Sequence, residues 1–202
     1  WTQVGNNING TNDNEYSGYS VSLSEDGSVV AIGAPYANQS ASGLVRIYQN
    51  NNGTWTQIGN NINGKKDNEL SGYSVSLSAN GSTVAIGAPG IGSSFNLSGR
   101  VCIYERNPDN TTVAPIGWTQ VGNDIDGEAE GDFSGASVSL SEDGSMVAIG
   151  APNANSNSSG KVRIYRYVNG NWTQVGNNIN GKNDNDESGY SVSLSANGST
   201  VA

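Results

Sequence analysis

The sequence of 202 residues contains no histidine, one cysteine (Cys102) and one methionine, and its 9 lysine and arginine residues face 18 acidic residues. Without histidine and with a single thiol, a zinc site of the usual Cys/His type, a Cys–His nucleophile and an intrachain disulfide are excluded. The net charge of −9 argues against nucleic acid or an anionic membrane surface as a partner, because both attract a basic face. No apolar run approaches the roughly 20 residues that span a bilayer.

What the sequence does contain is one stretch repeated almost letter for letter. Ser17–Pro35 reads SGYSVSLSEDGSVVAIGAP, and it returns as Ser71–Pro89 and as Ser134–Pro152. A fourth copy begins at Ser188 and breaks off at Ala202. Self-similarity at a nearly fixed period is typical of repeat architectures. The sequence therefore predicts several copies of one supersecondary unit.

Tryptophan marks the period of the array. The four tryptophans are spaced 54, 63 and 54 residues apart, which divides the chain into repeats 1–54, 55–117 and 118–171 and a partial repeat 172–202. The extra nine residues of the second repeat lie in connections, where insertions cost little. We expect a single repeat array, 1–202, that forms a segment of a longer propeller or fibre, since it starts without Met and ends within a repeat. A missing leader sequence is then uninformative.

Each repeat reads as four short strands. In the first repeat Val21 and Leu23 alternate with serines, and the Asp26-Gly27 pair that follows predicts a tight two-residue hairpin turn. The next strand places Val and Ile on one face and Ala31 and Gly33 on the other, where small residues let a second sheet approach closely. A third strand, GLVRIY in the first repeat, and the segment that begins with Trp complete the unit.

The predicted fold is all-β, with tandem four-stranded antiparallel blades. Such a unit cannot bury both faces alone, so neighbouring units must stack, either radially as a β-propeller or linearly as a solenoid or fibre. WD40-type repeats match poorly, because the Trp-Asp dipeptide is absent. The hairpin reads SEDGS in repeats one and three and SANGS in repeats two and four, which suggests that alternate hairpins face different surroundings.

The pattern SGYSVSLSxDGSxVAIGAP…SGxVRIY resembles the FG-GAP repeat of integrin alpha-subunit propellers, and still more the divergent FG-GAP-like repeats of bacterial and algal surface proteins. Gly18 matches the FG glycine, and Gly33-Ala34-Pro35 is a literal GAP. Serine stands where the family has the aromatic of FG. The resemblance covers the chain and implies a propeller with three full repeats plus one partial, in which the Trp strand is outermost.

The resemblance also raises calcium, which many FG-GAP blades bind in a loop between their first two strands. Here that loop is a short Asp-Gly or Asn-Gly hairpin, too tight to supply the six to eight oxygens that calcium wants. A second candidate is a pair of carboxylates at i and i+2 in the connection of each repeat. These pairs could ligate a calcium ion, but we favour the interpretation that they accept hydrogen bonds from turn amides and keep the surface soluble. The pairs are Asp13/Glu15, Asp67/Glu69, Glu130/Asp132 and Asp184/Asp186.

Because these pairs recur in every repeat, they do not favour a glycosidase-type active site, which usually occurs once. No other catalytic constellation is present, so we expect a protein that is not an enzyme and requires no cofactor.

Nine Asn-x-Ser/Thr sequons predict a secreted, N-glycosylated protein, although Asn, Ser and Thr are abundant enough to create some by chance. The sequons stand at Asn9, Asn38, Asn52, Asn80, Asn96, Asn110, Asn157, Asn171 and Asn197.

Two kinds of side chain remain as further candidates. Cys102 replaces an arginine on the third strand and is either a semi-buried free thiol or a link to another chain. The recurring Trp and Tyr residues favour packing between blades, whereas Tyr36, Phe95 and Tyr167 have no counterparts and are better candidates for ligand contact.

Together these features predict an extracellular or cell-surface repeat protein with a structural or adhesive role, in an appendage or filament. Its expected partners are itself, neighbouring surface proteins and N-linked glycans. The alternative is a carbohydrate- or protein-binding propeller, lectin-like or integrin-like, that uses the loops of one face.

Overall fold

The computed structural model describes residues 1–90, 98–155 and 157–202, and every regular element in those ranges is a β-strand. The strands are β1 (Ser20–Leu23), β2 (Val29–Ala34), β3 (Leu44–Asn51), β4 (Thr54–Gln57), β5 (Ile62–Asn63), β6 (Ser74–Leu77), β7 (Thr83–Ala88), β8 (Arg100–Arg106), β9 (Trp118–Gln120), β10 (Ile125–Asp126), β11 (Ser137–Leu140), β12 (Met146–Ala151), β13 (Lys161–Val168), β14 (Asn171–Gln174) and β15 (Ile179–Asn180).

The strands form three sheets of the same antiparallel design. In the first sheet β1, β2, β3 and β4 lie side by side, and β5 pairs with the other end of β3. The second sheet repeats this order with β6 to β10, and the third with β11 to β15. The prediction of an all-β fold built from four-stranded antiparallel units is thereby confirmed.

The Trp segment forms the outer strand in two pieces. In the first sheet β4 and β5 pair with opposite ends of β3, and residues 58–61 bend away between them. This outer strand belongs to the sequence repeat that follows the rest of its sheet, so each sheet joins two sequence repeats. Residues 1–10, the Trp segment of the first repeat, are not in a strand, which differs from the strand that their sequence predicts.

The hairpin between the first two strands is not the predicted two-residue turn. The Gly27 amide donates to the Ser24 carbonyl, so Glu25 and Asp26 occupy the centre of the turn. Only Gly27 has a positive φ, of 69°, whereas a type I′ turn needs positive φ at both central residues. The Asp26 carboxylate instead accepts from the Ser24 hydroxyl and the Ser28 amide, which stabilises the wider turn.

The hydrophobic core lies between the sheets rather than within one. The first core joins one face of the first sheet, including Val45 and Ile47, to the opposite face of the second, including Val75 and Leu77. A second core joins the second and third sheets in the same way. Leu194 and its partial repeat pack on the outer face of the third sheet. Stacking therefore supplies the burial that a single sheet lacks.

Glycine allows neighbouring sheets to approach closely, as the sequence predicts from the small residues on one face of the second strand. A Cβ atom on Gly33 would collide with the carbonyl oxygen of Gly72 in the next repeat. The same collision would occur between Gly87 and Gly135, and between Gly150 and Gly189. The glycine of the GAP motif and the glycine of the Ser-Gly pair therefore meet at each interface, where no side chain fits.

Serine hydroxyls of the first strand hold each sheet to the next. Ser20 Oγ donates to the carbonyl of Gly72 at 2.8 Å, and Ser22 Oγ accepts from the amide of Leu77 at 2.9 Å. Both bonds recur at the second and third interfaces. The polar side of the strand is therefore an interface, although its alternation alone is typical of a solvent-facing side.

A line of backbone hydrogen bonds also connects the hairpin tips. The Glu25 amide donates to the Ala79 carbonyl, the Ala79 amide to the Glu142 carbonyl, and the Glu142 amide to the Ala196 carbonyl. Hairpins of the SEDGS and SANGS types occupy equivalent positions in this line. The alternation of the two types thus does not reflect different surroundings within the fold.

Candidate functional site

The exposed face of the first sheet departs clearly from the repeat symmetry. Val21 and Leu23 are 63% and 59% exposed, while their equivalents Val75 and Leu77 are 9% and 7% exposed. The sequence of the strand is SVSL in both cases. The second sheet has the first sheet packed against it, and among the described residues no sheet covers the first. We call the surface around Val21 and Leu23 the open face.

The indole groups add a hydrogen bond at each outer edge. Trp55 Nε1 donates to the carbonyl of Val4 at 3.0 Å, and Trp118 Nε1 donates to the carbonyl of Ile58 at 3.0 Å. Trp172 makes the same bond to Val121. This recurring contact favours the predicted packing role for the tryptophans, since each indole joins its own outer strand to the preceding Trp segment.

In the acidic connection of the first repeat, Glu15 is buried and bound on both sides. Arg46 holds it through two hydrogen bonds of 2.8 and 3.0 Å, and the Thr11 amide donates to it at 2.9 Å. Glu15 and Arg46 are each only 3% exposed. The hydrogen bond from Arg46 lowers the pKa of Glu15 from 4.5 to about 2. The carboxylate therefore fixes this connection to the third strand of its own sheet.

The second and third sheets keep this ion pair but take the cation from another position. Arg100 lies 3.1 Å from Glu69, and Lys161 lies 2.9 Å from Asp132. Both cations stand two residues before the site of Arg46 in the repeat, where the first repeat has Leu44. Cys102 can therefore replace arginine in the second repeat without leaving Glu69 unpaired.

In the fourth connection the second carboxylate, Asp186, has no third strand of its own repeat among the described residues to supply a cation. Asp186 is exposed and accepts from the amides of Lys182 and Asn183 at 2.9 and 2.7 Å. Hydrogen bonding to turn amides is thus common to all four connections. The second carboxylate of each pair therefore has a structural role in its turn.

These surroundings do not suit calcium. The groups that donate to Glu15, Glu69 and Asp132 are backbone amides, cationic side chains and one hydroxyl, that of Thr11, whereas calcium needs six to eight oxygen ligands. The first members of the pairs, Asp13, Asp67, Glu130 and Asp184, are exposed. In the described ranges no group of three or more acidic, Cys or His side chains could hold a metal ion. The calcium site remains a prediction for a binding experiment to test.

Cys102 is a buried thiol with polar neighbours. Its Sγ donates to Asp124 at 3.3 Å, and Asp124 also accepts from Arg100 at 2.8 Å. Burial, together with the charge of Asp124, raises the pKa of Cys102 to about 12. A thiolate is required for disulfide exchange, so this environment favours the free-thiol interpretation over a link to another chain.

The sequon asparagines divide into two groups by the state of the amide nitrogen to which a glycan would attach. Asn110 Nδ2 donates to the carbonyls of Val113, Pro115 and Trp118. Asn38 donates to Ser42 and Gly43, and Asn157 donates to Asp184. Asn171 donates to the Asn169 carbonyl at 3.5 Å. The other described members, Asn9, Asn52, Asn80 and Asn197, are exposed. Asn96 lies outside the described residues.

The aromatic side chains that were singled out from the sequence are only partly available. Tyr36 and Tyr167 are each 37% exposed. The Tyr36 ring packs 5.0 Å from Tyr16, and the Tyr167 ring packs 5.3 Å from Trp172. Phe95 lies outside the described residues.

A cavity of about 370 Å³ was missed by the sequence reasoning. It is lined by Tyr73, Phe133, Ala136 and Tyr190, among others. The sequence does carry a signal for it, because Ala136 stands where the other three copies have tyrosine. A break in a repeat pattern is therefore informative about where the surface differs.

Comparison with known proteins supports the fold and leaves the function open. No family model and no curated protein matches the sequence. Among solved structures, a candidate 6-phosphogluconolactonase from Bacteroides fragilis matches 79% of this chain at 15% identity and a TM-score of 0.52. Hydrazine synthase from Kuenenia stuttgartiensis matches 97% at 14% identity and a TM-score of 0.55. Sqt1 from Saccharomyces cerevisiae matches 85% at 12% identity and a TM-score of 0.50.

The chain spans about two fifths of the length of these structures, covering 38%, 44% and 38% of them. At such low identity the likeness shows the fold alone, which is β-propeller-like. The membership of the FG-GAP family, predicted from motifs, stays a prediction. In the described part of the chain no helix has the length and apolarity needed to cross a membrane.

Proposed function

We propose that this protein is a non-enzymatic structural module whose repeats stack on further copies of the same repeat. It would form part of a glycosylated surface protein, appendage or filament outside the cell. The observation that carries the proposal is the open face around Val21 and Leu23. In this role a further repeat covers that face as the first sheet covers the second.

The two complete interfaces describe the expected occupant. Each consists of a valine–leucine face on one sheet and a serine, alanine, glycine and valine face on the other. The same serine hydroxyls and the same glycine contacts serve both interfaces. Because the open face is built from the residues of a valine–leucine face, its complement is a small-residue face. In a second copy of this chain that face is the outer side of the partial fourth repeat, where Ser191 and Ser193 are exposed. Exposed apolar patches of this kind commonly mark interaction sites.

The experiment is sedimentation velocity over a wide concentration range. A head-to-tail contact between unlike faces does not close into a dimer, so we expect species that grow with concentration. Replacing Leu23 with Asp should abolish this growth, because a charge would be buried without a partner.

The matched control is Val113→Asp, which changes an equally apolar side chain that is 68% exposed in a loop away from the open face. It should assemble like the unchanged protein. The proposal would be contradicted if the unchanged chain stays monomeric at the highest concentration, or if the Leu23→Asp variant still assembles.

The extracellular part of the proposal rests on the exposed sequons. In a glycosylating host we expect glycans at exposed asparagines such as Asn52 and none at Asn110, whose amide nitrogen serves three carbonyls. Glycopeptide mass spectrometry reads both sites in one sample. Bare asparagine at every sequon would contradict the glycoprotein role, while a glycan on Asn110 would contradict the ordering of that loop.

A second candidate function is a carbohydrate- or protein-binding propeller. The loop before the first strand and the loop after the second meet on one face, as the contact between Tyr16 and Tyr36 demonstrates. These are the loops by which such a propeller would bind. A glycan array, followed by Tyr36→Ala, tests this function, and the absence of any glycan signal would count against its carbohydrate-binding form.

A further inference from the structure

The third repeat carries the cavity introduced above because one tyrosine is missing. The residue after the Ser-Gly pair is Tyr19, Tyr73 or Tyr190 in three copies and Ala136 in the third. Tyr19 packs on Tyr73 with ring centroids 4.9 Å apart. At the next step Ala136 offers no ring, and the space it leaves is part of the cavity of about 370 Å³.

Aromatic rings form the walls of this cavity. The rings of Tyr73 and Phe133 stand 80° apart with centroids 6.2 Å from each other, so they present a corner rather than a flat stack. Tyr19 and Tyr190 also line the space. The hydrogen bond with Tyr19, together with burial, raises the pKa of the Tyr73 phenol.

The charge at the cavity has one sign. Its lining includes the carboxylate of Glu187 and no lysine or arginine. The chain as a whole carries a net charge of −9. An aromatic face attracts a cation placed within about 6 Å of the ring centroid, and aromatic cages of this kind recognise quaternary ammonium groups.

We propose that the cavity at Ala136 binds an organic cation of the quaternary ammonium type. The Tyr73 and Phe133 rings contact its methyl groups, and Glu187 supplies the opposite charge at the rim. This site lies on the same face as the second candidate function but does not depend on it, because glycans could fail to bind while the cation binds. It also goes beyond the stacking role.

The test is a titration of the whole chain with choline, followed by NMR chemical shifts of the tyrosine and phenylalanine rings. The matched neutral probe is 3,3-dimethylbutan-1-ol, which has the shape of choline without its charge. We expect choline to bind about tenfold more tightly than the neutral probe, a difference within the range of cation–π attraction. Equal affinity for the two probes would overturn the proposal.

Two substitutions taken from the chain itself locate the site. Ala136→Tyr restores the residue of the other three copies and should fill the cavity. Phe133→Leu installs the residue that the second repeat has at this position, Leu70, where φ is also positive. It removes one aromatic wall and keeps an apolar side chain. Each should weaken choline binding by at least about fivefold while the melting temperature stays within a few degrees.

Undiminished binding in both variants would overturn the proposal, as would the absence of choline binding by the unchanged chain. If one of the variants fails to fold, the other decides the outcome, and Glu187→Gln provides a third measurement at an exposed position. Loss of affinity on Glu187→Gln at low salt, but not at high salt, is expected because that charge is screened. A trimethyl-lysine peptide and phosphatidylcholine vesicles, used as separate probes, distinguish a protein-borne cation from a lipid headgroup.

Discussion

The first and second sheets contain nearly the same strands, yet their valine–leucine faces differ strongly in exposure. Leu23 is 59% exposed and Leu77 is 7% exposed, although each belongs to an SVSL strand. The difference arises from the neighbour: within the described ranges, the second sheet has another sheet on that side and the first does not. Burial in a stacked array is thus a property of the interface rather than of the repeat.

The two sheets also differ in how they neutralise their buried carboxylates. Glu15 in the first has a single cation, Arg46, in a two-bond contact. In the second, Arg100 serves Glu69 together with Asp124 and Asp126. Removing the carboxylate should therefore destabilise the fold more in the first sheet, where Arg46 has one carboxylate partner, than in the second, where Arg100 has three.

The largest expected effect separates the two leucines. Leu77→Ala should lower the free energy of unfolding by about 3 kcal/mol, since it removes a buried side chain and leaves a cavity. Leu23→Ala should change it by less than about 0.5 kcal/mol, as for other exposed positions. Urea denaturation of the two variants, at concentrations where the chain is monomeric, makes the comparison. Equal losses in the two variants would contradict the difference in burial between Leu23 and Leu77.

The next effect separates the two glutamates. Glu15→Gln leaves Arg46 buried without its counter-charge and should cost about 3 kcal/mol. Glu69→Gln should cost less, because Arg100 keeps two other carboxylates. Thermal or urea unfolding at pH 7 measures both. A larger loss for Glu69→Gln would show that Asp124 and Asp126 do not compensate the charge of Arg100.

The same pair sets a pH dependence. The folded-state pKa of Glu15 is about 2 against 4.5 in its ordinary state, so the unfolded chain binds a proton first as the pH falls. Its contribution to stability is complete above about pH 4.5 and is lost as the pH falls towards 2. Glu15→Gln should therefore remove the slope of stability against pH between about pH 4.5 and 2, while near pH 7 to 8 the variant is less stable by a constant amount. An identical acid slope in both proteins would exclude this assignment.

A smaller effect should be equal in the two sheets. Ser22→Ala and Ser76→Ala each remove the acceptor for an amide of the next sheet, Leu77 and Leu140 respectively. Each should cost about 1 kcal/mol, the usual net value of one hydrogen bond. Because both serines lie on covered faces, a marked difference between the variants would show that the two interfaces are not equivalent.

The smallest effect concerns the thiol that distinguishes the second sheet. Cys102 should react with a thiol reagent slowly in the native protein and completely in denaturant, because burial raises its pKa to about 12. A time course of labelling at pH 8 measures this. Rapid labelling of the native protein, or a dimer that a reducing agent dissociates, would instead support the hypothesis that Cys102 forms a disulfide with another chain.

Features that repeat locally were accessible from the sequence. The alternation of Val21 and Leu23 with serine predicted the strand, and the small residues at Ala31 and Gly33 predicted close stacking. Long-range pairing was not accessible in the same way. Nothing local indicates that the Trp segment completes the preceding sheet, and the turn at Asp26 was assigned wrongly because Asp-Gly fits both a two-residue turn and a wider one.

The candidate sites show the same division. The carboxylates at the second position of each pair were identified, but their partners were not, because the cation lies 31 residues away at Arg46 and changes position at Arg100. The cavity at Ala136 was visible as a break in the pattern, while its walls depend on how Tyr73 and Phe133 meet across repeats. Sequence repetition thus predicts the shared scaffold better than the exceptions to it.

The line of hydrogen bonds between the hairpin tips uses only backbone atoms of Glu25, Ala79 and Glu142. The side chains of these three residues therefore take no part in the hydrogen bonds that connect the tips. The side chain at each hairpin tip can thus be charged or neutral, independently in each repeat, while the contacts between the sheets stay the same. The alternating glutamate and alanine are one such pattern, and they place negative charge on every second tip along the row.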